Sequence, residues 1–331
     1  MYQFSDGDFS PEKIAESGQC FRMTRCGEQV WQLIAAGKVL FIRAEETADS
    51  VHGAVTEAAM DAAAGSGRQA ETAGRAADEG KKRQAAALEL PQAFCLSADE
   101  EEFHAVWEPY FDLQTDYEVY RSTALSDDYF LKKAIRYGSG IRVLRQDPWE
   151  MLISFIISQR RSVPAIRTAV RKLSERFGRE IHVGKTVRRQ FGIEENQRFF
   201  AFPAPKALAK APSEELAACG LGYRTDYVKA AARAVQSCEM DLSAFSELSD
   251  EELLSELMRL PGVGIKVASC TALFGYHRLR VAPVDVWMQR ILDADYAQFG
   301  GKFPQEYTAC AGVLQQYLFH YARRTKSVEA V

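Results

Sequence analysis

The 331-residue sequence predicts an α+β fold, with a small antiparallel sheet near the N-terminus followed by mainly helical domains that contain a helix-hairpin-helix. Three observations carry this prediction. Val30-Trp31-Gln32-Leu33-Ile34 and Val39-Leu40-Phe41-Ile42-Arg43 read as strands, with Ala36-Gly37-Lys38 as the turn between them. Helical apolar spacing dominates from about residue 103 to the end. Within that stretch, Leu260-Pro261-Gly262-Val263-Gly264 stands between helical patterns at 250–258 and 267–274, as a hairpin joining two helices.

Taken in order, residues 1–46 alternate in strand fashion and form the sheet. At about 45–89 the composition changes to Ala, Gly, Glu, Arg and Ser, with no aromatic residue between Phe41 and Phe94. Such a segment buries too little apolar surface to offset its ordering entropy, so a disordered or loosely helical insertion in a sheet loop is expected. Globular composition resumes at 103–113 and 117–137, which sets the expected domains at 1–116 and 117–331. Asp147-Pro148 opens a strong helix over 151–158 as N-cap and first position, and Gln159-Arg160-Arg161-Ser162 interrupts it before a second helix over 163–177. Gly220-Leu221-Gly222-Tyr223-Arg224 separates helices at 213–219 and 226–235, and a last helix over 308–323 places Gln315 and Phe319 on one face.

The seven cysteines are dispersed without a C-x-x-C pair, which argues for reduced thiols against a disulfide framework or structural zinc. No apolar run reaches the ~18 residues of a membrane span. The N-terminal Met1-Tyr2-Gln3-Phe4-Ser5-Asp6 has neither a basic region nor an apolar segment, so an intracellular protein is expected. The net charge of −4 does not announce a nucleic-acid binder, yet Arg160-Arg161, Arg167, Arg171-Lys172 and Arg188-Arg189 cluster apart from the acidic runs. A local basic face binds phosphate on an acidic protein, because distant charges are screened beyond roughly 8–10 Å.

The hairpin is where chemistry concentrates. Pro261 stops the first helix, and Gly262 and Gly264 supply backbone freedom and close approach. A glycine hairpin opening a helix presents N–H groups and the positive dipole end to an anion, for which a DNA phosphate is the natural occupant. Lys266 stands at the start of the second helix, where the dipole disfavours a cation, and a neutral lysine attacks a sugar or carbonyl carbon. Asp285, nineteen residues later in Val281-Ala282-Pro283-Val284-Asp285, is placed as an N-cap near the same helix ends. Singly, each reads as a solvated lysine or a plain cap; together with the flanking motif they point to a nucleophile and its carboxylate.

Leu260 to Ile291 resembles the helix-hairpin-helix plus Gly/Pro-Asp signature of base-excision DNA glycosylases, specifically the 8-oxoguanine DNA glycosylase family. Gly18-Gln19-Cys20-Phe21-Arg22, Arg145-Gln146-Asp147-Pro148 and Gly220-Leu221-Gly222-Tyr223-Arg224 resemble that family's segments in the same order. The resemblance implies a glycosylase with lyase activity, Lys266 attacking C1′ of the flipped nucleotide and Asp285 stabilising the charge on the sugar. It also implies that the Gly18 carbonyl accepts from the N7–H that 8-oxoguanine has and guanine lacks, although Gly18 read alone is simply a turn. Gln315 would bond the Watson–Crick edge while Phe319 and Cys270 stack on the two base faces; as an isolated pair, Gln315 and Phe319 read as a surface amide and core packing. Tyr223 would wedge the stack and Arg224 would meet the orphan base, against the plain reading of a tyrosine buried beside a helix cap. Arg160 and Arg161 stand where the family has an asparagine-rich loop, and suit a stack plug, a phosphate contact or a solvated helix junction alike. Trp287 replaces a phosphate-binding histidine of several members, and its indole N–H still donates.

The family further implies no required cofactor, with a cation weakly held at the hairpin by the carbonyls of Met258, Leu260 and Val263. Only Cys310 follows the Asp-bearing segment, where iron–sulfur branches carry four cysteines, so no cluster is expected. The expected partner is double-stranded DNA containing a damaged purine, bound by a monomer with no membrane involved. The competing readings are a relative acting on another oxidised or alkylated base, and a non-catalytic helix-hairpin-helix DNA-binding protein.

Overall fold

The computed structural model describes residues 1–45 and 92–325, so the expected insertion at 45–89 lies, apart from Glu45, outside the described residues. Five antiparallel strands form the N-terminal sheet in the order β1-β5-β4-β3-β2: β1 (Tyr2–Asp6), β2 (Met23–Arg25), β3 (Val30–Ala35), β4 (Lys38–Glu45) and β5 (Gln92–Leu96). The expected hairpin is β3–β4, with Ala35 opposite Lys38. Its two connecting residues, Ala36 and Gly37, both have positive φ (51° and 69°), the turn whose twist matches that of paired strands. Residues before and after the insertion are cross-strand partners, Glu45 opposite Ala93.

Side-chain alternation gives the sheet two covered faces. Trp31, Leu33, Leu40, Ile42 and Phe94 pack on Phe103, Trp107 and Phe111, while Val30, Phe41 and Cys95 pack on Phe191, Ile193 and Phe199.

The helical part is built on α1 (Tyr129–Gly138), α2 (Pro148–Ser158), α3 (Val163–Phe177), α4 (Arg224–Gln236), α5 (Asp250–Met258), α6 (Ile265–Gly275), α7 (Val286–Asp295) and α8 (Ala311–Thr325). Asp147 caps α2 as expected, its Oδ1 accepting from Glu150 N at 2.8 Å. Every residue from Met151 to Ser158 is buried, so α2 is the central rod. Helix α6 packs against it so closely that a Cβ on Gly275 would lie 2.9 Å from Pro148 Cα. A capping box starts α5, with Ser249 and Glu252 exchanging bonds at 3.2 and 2.9 Å.

Two buried residues tie the N-terminal segments to the stretch between α1 and α2. Arg142 donates to Asp8 O, Asp112 O and Thr115 O and pairs with Asp6. Gln19 donates to Arg142 O at 2.8 Å and accepts from Leu144 N at 2.8 Å, and its own carbonyl accepts from Gln146 Nε2 at 2.9 Å. The segments around Gly18 and around Asp147 are thereby held as one piece. All seven cysteines are unpaired, and among the described residues no three His, Cys, Asp or Glu side chains gather as a metal site. No helix among the described residues is long and apolar enough to cross a membrane.

Candidate active site

Where the sheet segment meets α2, α3, α6, α7 and α8, a cleft of about 810 Å³ opens. Its walls include Gly18 from the sheet side, Lys266 from α6, Asp285 at the head of α7 and Phe319 from α8. Arg160, Arg161 and Trp287 also line it.

Helices α6 and α7 deliver their N-termini to this cleft. Gly264 precedes α6 with no side-chain cap, leaving first-turn N–H groups for an outside acceptor. Asp285 caps α7 as expected, Oδ1 accepting from Met288 N at 2.9 Å. Lys266, in the first turn of α6, donates from Nζ to Ser158 Oγ at 3.1 Å and lies 5.0 Å from the centre of the Phe155 ring. Among the hydrogen bonds of the described residues none joins Lys266 to Asp285; amine and carboxylate share the cleft without pairing. Cys270, one turn beyond Lys266, is buried beneath it. Desolvation pushes its thiol up to about 11, against the opposing pull of the Lys266 amine.

The hairpin glycines differ from the expectation that both supply backbone freedom. Gly262 has φ +77°, and a Cβ there would sit 2.3 Å from the Tyr227 ring. Gly264 has φ −95° and ψ 179°, ordinary extended backbone, with no atom within 4 Å of a Cβ position. No contact among the described residues demands a glycine at 264, and the open space there faces outward.

Gly18 has φ +82° and its Cβ position would be 3.0 Å from Phe319 Cε1, so the glycine lets the bend before β2 abut that ring. Gln315 is buried and does not line the cleft; its Oε1 accepts from Gln316 Nε2 at 2.8 Å. Arg160 is exposed with φ +52°, an uncommon conformation for a residue with a side chain. Arg161 donates to Gly220 O. Tyr223 is 54% exposed rather than buried, with the Arg224 guanidinium 4.3 Å above its ring. Arg224 itself is buried and bonded to the carbonyls of Leu221 and Gln159, so it braces one loop against another; desolvation and the nearby Arg161 and Arg160 lower its pKa. Trp287 carries the Arg290 guanidinium 5.6 Å over its ring. At the hairpin, Met258 is 40% exposed, while Leu260 and Val263 are buried and Leu260 O already accepts from Val263 N at 3.1 Å.

Phe155, Ser158 and Arg323 also line the cleft and were not singled out in the sequence. Phe155 and Ser158 belong to an unbroken apolar run whose pattern signals only core, and Arg323 reads as one basic residue among several ending a helix.

Comparison with known proteins accords with this geometry. Residues 1–152 match the N-terminal domain of 8-oxoguanine DNA glycosylase, and residues 153–306 match the HhH-GPD superfamily of base excision DNA repair proteins. A probable N-glycosylase/DNA lyase of Methanothermobacter thermautotrophicus is 28% identical over 245 residues, 65% of this chain and 73% of that protein. The N-glycosylase/DNA lyase of Saccharomyces cerevisiae is 32% identical over 168 residues, covering 47% of this chain and 42% of the yeast protein. A crystal structure of the Clostridium acetobutylicum 8-oxoguanine glycosylase/lyase with double-stranded DNA containing cytosine opposite 8-oxoG superposes with a TM-score of 0.74 at 27% identity, over 98% of this chain and 99% of that one. With two adjoining models spanning 1–306 and a fold shared from end to end, the chain belongs to the 8-oxoguanine DNA glycosylase family of HhH-GPD base-excision repair proteins.

Proposed function

We propose that this chain is a bifunctional DNA glycosylase and abasic-site lyase that removes 8-oxoguanine from duplex DNA. The observation that carries the reading is the convergence of the Lys266 amine and the Asp285 carboxylate on one cleft, each at the head of a helix. The Lys266 lone pair bonds to C1′ of the flipped nucleotide as the bond from C1′ to the base breaks, and the departing base keeps that electron pair and takes a proton. Asp285 stabilises the positive charge growing on the sugar and orients the amine. Opening of the sugar ring leaves a Schiff base between Nζ and C1′. Loss of a C2′ proton then expels the C3′ oxygen and cuts the strand 3′ to the lesion.

Around that centre, the Gly18 carbonyl accepts from the lesion's N7–H and Phe319 stacks on one base face, with the Cys270 thiol on the other. Gln315 reads the Watson–Crick edge by exchanging its bond to Gln316 for one to the base. Arg160, held exposed in a conformation costing roughly 1–2 kcal/mol, plugs the stack beside Arg161 and meets the orphan base. Tyr223 wedges the far side, and Arg224 acts by holding the Gln159 carbonyl and the Tyr223 ring in place. The free N–H groups at Gly262 and Gly264 and the Trp287 indole take phosphates.

The partner is double-stranded DNA with a damaged purine, and the enzyme works as an intracellular monomer. No cofactor enters the reaction. The carbonyls of Met258, Leu260 and Val263 offer a hard cation only weak, carboxylate-free oxygen ligands, so activity persists in EDTA. A domain boundary at 116/117 is supported by the change from Phe111 in the sheet core to Tyr117 in the helical core, with Phe21, Leu144, Phe191, Ile193 and Phe199 packing across it.

Borohydride reduction of the imine tests the assignment. The unaltered chain is expected to cross-link to a duplex carrying 8-oxoguanine opposite cytosine, Lys266→Ala to lose the adduct, and Lys266→Gln to keep DNA affinity. Trapping by Lys266→Ala would reject the nucleophile, and trapping only on other lesions would reject the substrate.

A further inference from the structure

Lys266 carries its amine on four rotatable methylenes, so something must hold it where the sugar arrives. The geometry points to Ser158 as the residue that positions the Lys266 amine, an inference resting on the glycosylase/lyase reading. Ser158 is the last residue of α2 and is 8% exposed. Its hydroxyl proton is already committed, donated to Phe155 O at 2.8 Å. A hydroxyl has one proton, so the oxygen offers only lone pairs to Nζ at 3.1 Å, and the lysine is the donor in that bond.

One N–H pinned in this way restricts rotation about the terminal carbon–nitrogen bond and limits where the amine's lone pair can aim. The Phe155 ring, 5.0 Å from Nζ and one turn earlier on the same helix, closes the other side of the cradle. Asp285 spends Oδ1 on the α7 cap and does not bond the amine, so Ser158 supplies the only side-chain oxygen hydrogen-bonded to Nζ among the described residues.

Ser158 also begins the junction that ties the site together. Gln159 Nε2 donates to Gly262 O of the hairpin at 3.0 Å, Gln159 O accepts from Arg224, and Arg161 donates to Gly220 O. The segment bearing the two exposed-side arginines therefore holds the amine at one end and both DNA-facing loops at the other. A displacement of this junction moves the nucleophile with it.

The test compares single-turnover excision of 8-oxoguanine at saturating enzyme for the unaltered chain, Ser158→Ala and Ser158→Thr. DNA affinity is measured for each substitution in a Lys266→Gln background, and thermal melting is followed alongside. Ser158→Ala is expected to slow excision and borohydride trapping about ten- to a hundredfold, the scale of a misplaced reacting group, with affinity within about threefold of the parent and unchanged melting. Ser158→Thr, which keeps the oxygen, is expected to recover most of the rate. Equal excision rates for the alanine variant and the unaltered chain would overturn the inference, as would an affinity loss matching the rate loss. Failure of the underlying glycosylase/lyase reading would look different, since the unaltered chain itself would then give no trapped product.

Discussion

Two hairpin glycines two residues apart are expected to fail in opposite ways when replaced by alanine. At Gly262 a Cβ would meet three Tyr227 ring atoms at 2.3, 2.4 and 2.7 Å, with φ at +77°. The left-handed backbone costs a side-chain-bearing residue about 1–2 kcal/mol, and relieving the overlap by shifting the ring adds about 1–3 kcal/mol. Gly262→Ala should therefore lose about 2–5 kcal/mol in urea unfolding. At Gly264 the backbone is extended and the Cβ position is empty, so alanine should leave stability within about 1 kcal/mol of the parent, the lower entropy of the unfolded chain offsetting a poorer N-cap residue. The loss at Gly264 should appear in DNA binding instead. A methyl group where a phosphate oxygen approaches the α6 N-terminus removes a charge-assisted bond worth about 1.5–3 kcal/mol, or tenfold and more in Kd. Fluorescence anisotropy with a lesion duplex in the Lys266→Gln background measures this without turnover. Native affinity for the Gly264→Ala protein would refute the phosphate grip, and native stability for Gly262→Ala would refute the packing argument.

Asp285→Asn should keep DNA affinity and most of the α7 cap, since an amide oxygen still accepts, yet lose most excision because its charge acts chiefly in the transition state; unchanged single-turnover rates would exclude that role. Replacing about 49–87 by a short Gly/Ser linker should preserve trapping yield, because Glu45 and Ala93 are already cross-strand partners and loop closure changes by only about 0.6 kcal/mol per doubling of length; a large drop with the fold intact by circular dichroism would contradict this. Burial raises the Glu150 carboxyl to about 7, with Arg22 pulling the other way. Its folded pKa thus exceeds its ordinary value, so the folded state binds the extra proton and stability falls as pH rises from about 4.5 through 7. Glu150→Gln should flatten that slope in urea titrations across this window, and a slope identical to the parent's would count against it.

The parts of the fold legible in the sequence are those written in local patterns. The β3–β4 hairpin, the Asp147 and Asp285 caps and the two hairpin helices each follow from spacing and a few capping residues, and all stand where those patterns put them. Strand β5 was not legible, because its five residues follow the low-complexity segment and gain their partners, β1 and β4, only from far along the chain. In the site, Lys266 and Asp285 share the cleft that their motif implies. Ser158 and Phe155 were hidden because a residue that is both core and site looks only like core. Arg224 shows the converse: an arginine on a glycine loop reads as reaching outward, whereas three-dimensional packing turns it in toward backbone carbonyls that no local pattern announces.

Gln19 joins the strip that carries Gly18 to the segment leading into α2, and the cleft has one wall on each side of that seam. A molecule seated between Gly18 and the helices therefore works as a rivet through two plates. Binding to both walls must strengthen their docking by the same free energy that the docking lends to binding. The backbone amide of Leu144, which bonds Gln19 across the seam and does not line the cleft, should exchange its hydrogen more slowly once the cleft is filled. Occupancy of this site is thus readable from the far side of the joint.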